Sequence, residues 1–166
     1  MTVKLLVAYG SKHGSTREVA EAIAETLEKA AHEVELRRAA DIEDLTPYDG
    51  VVLGGSLYFG RWHEDAVRFL SKHRRELSDL PVAVFALGPK TAEPADLADS
   101  RKQLENALQK THCVEPSLIA VFGGVIDPAE LRFPLSRLPA SDARDWSAIE
   151  SWAREIARDV GATSRT

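Results

Sequence analysis

Strand-sized apolar runs alternate with stretches of helical period along the whole chain, and this alternation is what most limits the folds open to it. Val3 to Tyr9 is a continuous apolar run interrupted only by Lys4, as in a strand buried on both faces. After a Gly10–Ser15 loop, Val19, Ala20, Ile23, Ala24 and Leu27 recur at helical spacing, and Ala30 and Ala31 extend that stripe to a helix end near His32. Val34 and Leu36 alternate with charges, the pattern of a more exposed second strand. Val51-Val52-Leu53 before Gly54-Gly55 reads as a third strand. Ala66, Val67, Leu70 and Leu77 mark a second helix, and Pro81 opens a fourth strand, Val82–Leu87. Leu97, Leu104, Ala107 and Leu108 give a third helix, and Leu118–Phe122 a fifth strand. Trp146, Ile149, Trp152, Ala153, Ile156 and Val160 form an amphipathic last helix up to Gly161. Strand and helix in alternation predict an α/β fold: a five-stranded parallel sheet with helices on both faces.

At 166 residues the chain fits one domain, placed at 1–162 with 163–166 as a disordered tail. The net charge of −5 argues against nucleic acid as the main partner. No apolar run exceeds strand length, so an integral membrane protein is not expected, although peripheral contact stays open. The N-terminus runs straight into a strand pattern without the apolar stretch of a signal peptide. Cys113 is the only cysteine, which excludes an internal disulfide and a cysteine-based metal site and fits a reducing compartment. The expected location is the cytoplasm.

In such sheets ligands sit beyond the carboxyl ends of the strands, where the strand order reverses. The loop after the first strand, Tyr9-Gly10-Ser11-Lys12-His13-Gly14-Ser15-Thr16, offers three hydroxyls, two glycines and the free N–H groups of a helix start. A helix N-terminus carries partial positive charge and unpaired donors, so the loop can wrap a phosphate. The alternative is a capping box, with Ser15 capping the helix and Glu18 reaching back. A Walker loop would need Gly-Lys-Ser/Thr at its end, whereas Lys12 precedes Gly14. The dinucleotide fingerprint is absent, and the second strand ends in Arg37 and Arg38 rather than an acid. The acids of a phosphorylated receiver domain are missing too.

Val7, Tyr9, Ser11, Gly14, Thr16, Ala20 and Ile23 stand at the spacings of the flavodoxin signature, and the chain resembles that family. The resemblance implies a three-layer sandwich with strand order 2-1-3-4-5 and non-covalent FMN as cofactor. Its phosphate would be held by Ser11, Lys12, His13, Gly14, Ser15 and Thr16. The loop after the third strand, Gly54 to His63, would face the flavin ring through Ser56, Leu57, Tyr58, Phe59 and Gly60, with Tyr58, Phe59 and Trp62 available for stacking. At least one of these aromatics is expected to pack on the helix behind instead. Leu87, Gly88 and Pro89 match the other flavin-facing loop, which lacks the family's usual tyrosine.

The stretch from Gly54 through Leu77 is similar to the flavodoxin-type, menaquinone-linked protoporphyrinogen dehydrogenases of bacteria, with a Gly-x-Ser-x-x-x-Gly-x-x-His frame. The similarity continues at Ala120-Val121-Phe122-Gly123-Gly124 and Trp152-Ala153-Arg154-Glu155-Ile156-Ala157. It implies an FMN-dependent oxidoreductase acting on a small redox substrate, with a quinone as acceptor. The alternative is a flavodoxin-type electron carrier that docks a redox partner protein. Such carriers usually have a strongly acidic rim, and Arg61, Lys72, Arg74 and Arg75 follow the flavin loop closely here. The family's long basic insertion after the fifth strand corresponds to the shorter Val125–Ser141. There Leu131, Phe133, Leu135 and Leu138 interleave with Arg132 and Arg137. That segment either packs on the sheet edge or forms a lip for an apolar, acidic small molecule.

The five histidines are scattered and form no metal pair. His63 is either a surface residue at the start of the second helix or a proton relay beside the flavin. No catalytic side chain is required, because in a flavoprotein the cofactor carries the chemistry.

Overall fold

Successive side chains of the first strand enter opposite cores. In β1 (Lys4–Gly10) Leu5, Val7 and Tyr9 join one apolar cluster, and Leu6 and Ala8 the other. This computed structural model describes residues 3–11, 14–58, 60–88, 93–111, 114–126 and 141–163. The elements that follow are α1 (Ser15–Lys29), β2 (Glu33–Arg38), a 3-10 turn (Ala39–Asp41), β3 (Gly50–Tyr58) and β4 (Arg61–Trp62). Next come α2 (Glu64–Lys72), α3 (Arg74–Leu77), β5 (Val82–Leu87), α4 (Pro94–Thr111) and β6 (Leu118–Phe122). β7 (Val125–Ile126), β8 (Ser141–Asp142) and α5 (Trp146–Thr163) complete the chain.

The sheet order is β2-β1-β3-β5-β6, all parallel, which is the expected 2-1-3-4-5 once only the long strands are counted. Direction reverses around β1, whose neighbours are β2 and β3, so the switch point lies at its carboxyl end. On one face α1 and α5 bury Val19, Ile23 and Leu27 with Ile149, Trp152 and Ile156. On the other, α2 and α4 bury Phe69, Leu70, Leu104 and Leu108 against Leu6, Leu53 and Val84. Phe85 anchors the first core, in contact with Phe122 and Trp152 at centroid distances of 6.2 and 5.9 Å. Its ring lies over Gly54, its register partner in β3.

The structure revises several element ends. α1 stops at Lys29 rather than near His32. Ala31 N–H bonds to Glu28 O and His32 N–H to Leu27 O, and Ala31 takes φ 69°. These two bonds make a Schellman closure, so Ala30 and Ala31 are exposed and not part of the buried stripe. The second helix is broken at His73, whose backbone leaves helical geometry (φ −107°, ψ 16°) while its ring is buried against Phe69. α5 continues through Gly161 to Thr163. β3 folds back on the short β4 in an antiparallel hairpin, Tyr58 opposite Arg61, with Gly60 at φ +76° near its tip.

β7 and β8 pair antiparallel, Val125 beside Asp142, and close the neck of the Pro- and Arg-rich segment. Residues 127–140, including Arg132 and Arg137, lie outside the described residues, as do His112 and Cys113. Among the described residues no helix is long and apolar enough to cross a membrane.

Candidate functional site

The carboxyl ends of four strands meet along one edge. Gly10 pairs with Gly55, Ser56 with Leu87, and Gly88 N–H bonds to Phe122 O at 3.1 Å. The loops after β1, β3, β5 and β6 are thereby gathered in one place. Of the residues expected to bind the cofactor, the structure brings Ser11, Gly14, Ser15, Thr16, Ser56, Leu57, Tyr58, Gly60, Leu87 and Gly88 to this edge. Lys12, His13, Phe59 and Pro89 lie outside the described residues.

The capping-box alternative for the first loop does not hold. Gly14, not Ser15, is the N-cap of α1, in a left-handed conformation (φ 84°, ψ −12°), and no side chain caps the helix. Glycine takes that conformation without the steric cost a Cβ would impose. Glu18 does not reach back; its carboxylate bonds to Arg144 at 3.1 Å. The first helical bond runs from Glu18 N–H to Gly14 O, so the N–H groups of Ser15, Thr16 and Arg17 have no acceptor within the helix. Ser11 Oγ accepts from Gly14 N–H at 3.0 Å, which shapes the loop and leaves the hydroxyl proton free to be donated.

Two hydroxyls carry the site. Thr16 is 0% exposed and Ser56 is buried, yet Thr16 Oγ1 and Ser56 Oγ have no hydrogen-bond partner among the described residues. A buried hydroxyl left unpaired costs about 1–3 kcal/mol. Two of them, one in the first turn of α1 and one near the carboxyl end of β3, are therefore read as donors kept for a ligand.

Beside Ser56 opens a cleft of about 750 Å³ lined by Tyr58, Arg61, Trp62, His63, Glu64 and Asp65. Tyr58 is 41% exposed on the hairpin. Trp62 is buried instead, and its indole N–H donates to Gly55 O at 3.1 Å. Of the described aromatics of this loop it is the one that packs behind. Leu57 and Leu87 point into the two cores, so only their backbone is available to a ligand. His63 is half-buried rather than a surface residue. Its Nδ1 accepts from Asp65 N–H at 3.1 Å, capping α2, and it lies against Gly10.

Sequence reasoning missed a charged cluster beside the first turn of α1. Arg144, just before α5, bonds through Nη2 and Nε to Asp142 at 2.8 and 3.0 Å and through Nη1 to Glu18. These bonds from Arg144 hold the Asp142 carboxyl below its ordinary range, and Asp142 in turn raises Arg144 against the effect of burial. Because the Asp142 pKa is depressed, the pair's contribution is present above the ordinary carboxylate pKa and is lost as pH falls through the folded value. The only local signal was Asp142-Ala-Arg144-Asp145-Trp146; Glu18 stands 126 residues away.

The flavodoxin domain family matches residues 6–135. The chain belongs to that family. Protoporphyrinogen IX dehydrogenase [quinone] of Escherichia coli K12 is 26% identical over 182 aligned positions, covering 93% of this chain and 95% of the relative. The Leishmania major protein of the same name is 29% identical over 131 positions, covering 74% of this chain and 54% of that one. Among solved structures, oxidised flavodoxin 2 from Bacillus cereus superposes with a TM-score of 0.62 at 24% identity, covering 94% and 99% of the two chains. That likeness speaks for the fold alone.

The flavodoxin domain fixes the cofactor as FMN and the class as an FMN-dependent, flavodoxin-like oxidoreductase. The described residues fit that cofactor. A phosphate dianion matches a glycine-opened helix start whose first three N–H groups have no acceptor within the helix, beside a buried threonine hydroxyl without a partner among the described residues.

Proposed function

We propose that the chain oxidises protoporphyrinogen IX and passes the electrons to a quinone. The end-to-end match with the E. coli dehydrogenase, 93% of one chain against 95% of the other, carries this reading. We further propose that Ser11, Lys12, His13, Gly14, Ser15 and Thr16 hold the FMN phosphate. Ser56, Leu57, Tyr58, Phe59 and Gly60, with Leu87, Gly88 and Pro89, would surround the ring.

Bound FMN supplies the electron-transfer chemistry between the reduced substrate and the quinone. The start of α1 sets the cofactor's position through its N–H groups and the hydroxyls of Ser11 and Thr16. The open cleft leaves room for a broad apolar molecule beside the hairpin, with Tyr58 as a flat wall. Arg61, exposed opposite Tyr58, offers a guanidinium to carboxylates at the cleft rim. When neutral, His63 carries its proton on Nε2, since Nδ1 is used as an acceptor. That proton faces no competing role in capping.

The test is anaerobic incubation of the FMN-loaded protein with protoporphyrinogen IX and a menaquinone analogue, followed by porphyrin fluorescence. Porphyrin should appear only when both FMN and quinone are present. Absence of turnover, together with rapid electron exchange with an electron-transfer protein, would replace this reading with the carrier.

A further inference from the structure

Glu18 lies where an anion-binding helix start is least expected to hold a carboxylate. It is in the first turn of α1, and its N–H makes the helix's first bond, to Gly14 O. At 1.5 Å per residue its Cα is only about 6 Å along the axis from the opening glycine. A carboxylate there takes up the positive end of the helix and repels a phosphate arriving at the same place.

Arg144 answers that carboxylate from the far end of the sequence. Its side chain is only 10% exposed, whereas Glu18 is 59% exposed. The guanidinium is fixed before it meets Glu18: two N–H groups grip Asp142, and its carbon stands 4.8 Å from the Trp146 ring centroid. The backbone is fixed as well. Asp142 lies in β8, Ala143 N–H bonds to Gly124 O at 3.0 Å, and Gly123 packs directly on Ala143. Arg144 is therefore held against the carboxyl end of β6, with Nη1 left to reach Glu18 at 3.1 Å.

We propose that Arg144 is a positioning residue for the cofactor's phosphate: by pairing with Glu18 it draws that carboxylate to the α5 side and offsets its charge, so that the start of α1 keeps its affinity for a phosphomonoester. The proposal rests on the reading that the FMN phosphate binds at the start of α1. A plain structural tie between β8 and α1 would use the same contacts, but it would not distinguish a phosphorylated flavin from an unphosphorylated one.

The experiment measures dissociation constants of the apoprotein for FMN and for riboflavin by flavin fluorescence at low ionic strength, with the apoprotein's melting midpoint alongside. Arg144→Ala should weaken FMN roughly tenfold and leave riboflavin unchanged. Adding Glu18→Gln to that variant should return FMN affinity to near the wild-type value, because the repelling charge is gone. Arg144→Lys should keep most of the affinity. Glu18→Gln alone, which leaves the grip on Asp142 intact, should tighten FMN severalfold. If Arg144→Ala weakens FMN and riboflavin equally, or if Glu18→Gln fails to restore it, Arg144 is only a tie and the proposal is overturned. An Arg144→Ala variant too unstable to assay leaves Glu18→Gln and Arg144→Lys to decide: unchanged FMN affinity in the first, or a loss in the second shared by riboflavin, overturns it too. A wild type that does not distinguish FMN from riboflavin overturns the underlying phosphate reading instead.

Discussion

Thr16→Val should weaken FMN binding ten- to hundredfold while leaving the apoprotein as stable as before, or more stable. Thr16 is fully buried and its hydroxyl has no partner among the described residues. Valine keeps the branched shape and has a similar helix propensity, so the packing around Val19 and Ala20 in α1 is little disturbed. Removing an unpaired buried hydroxyl gives back about 1–3 kcal/mol of desolvation cost in the apoprotein. In the proposed complex the same change would delete a bond to a charged phosphate, worth about 1.5–3 kcal/mol, which is the ten- to hundredfold in affinity. Flavin fluorescence titration and a thermal melt of the apoprotein read the two effects separately. Loss of stability with unchanged FMN affinity would show that the hydroxyl serves the fold and not the ligand.

The largest effect on the fold is expected from Gly54→Ala. A Cβ at Gly54 would lie 2.0 Å from Phe85 Cζ and 2.3 and 2.5 Å from its Cε atoms. Phe85 is fully buried and in contact with Phe122 and Trp152, so its ring has no free direction to turn. Overpacking of this kind typically costs 1–3 kcal/mol, and here the strand backbone itself must shift, so about 3 kcal/mol or more is expected. Against a total stability of about 5–15 kcal/mol this is severe. The damage should reach the cofactor, because Gly54 leads directly into Gly55 and Ser56. Urea denaturation gives the size of the effect, and an unchanged midpoint would mean that the Phe85 ring is not fixed over Gly54.

The sheet was legible because its signal is periodic and local. Leu5, Val7, Leu53 and Val84 declare buried strands by their type and run length, and the strand-helix alternation leaves few topologies. The start of α1 was legible only in part: glycines and hydroxyls after a buried strand mark a loop entering a helix, but that Gly14 rather than Ser15 would open it was not readable, since the capping box fits the same residues. Element ends were harder. Ala30 and Ala31 continue the apolar stripe of α1 in sequence, but the Schellman bonds of Ala31 and His32 decide where it stops. Likewise Leu77 fits the period of the second helix, while the backbone leaves helical geometry at His73 between α2 and α3. Trp62 read as one candidate wall of the flavin site because its type suits stacking. Its indole N–H on Gly55 O, a contact between a hairpin and its own strand, assigns it to the core. Least legible was the Arg144–Glu18 pair, since no periodicity joins a residue before the last helix to one in the first. Only the fold, by laying α1 and α5 side by side on one sheet face, brings them together.

Titrating the apoprotein with FMN and with riboflavin tests the central claim most directly, because the two ligands differ only in the phosphate. Glycine-opened α1, with the hydroxyls of Ser11 and Thr16, predicts that FMN binds at least about a hundredfold more tightly, the worth of charge-assisted hydrogen bonds at one helix start. Inorganic phosphate should compete with FMN and leave riboflavin binding unaffected. Equal affinities, with phosphate indifferent to both, would contradict the account and remove the cofactor from the start of α1.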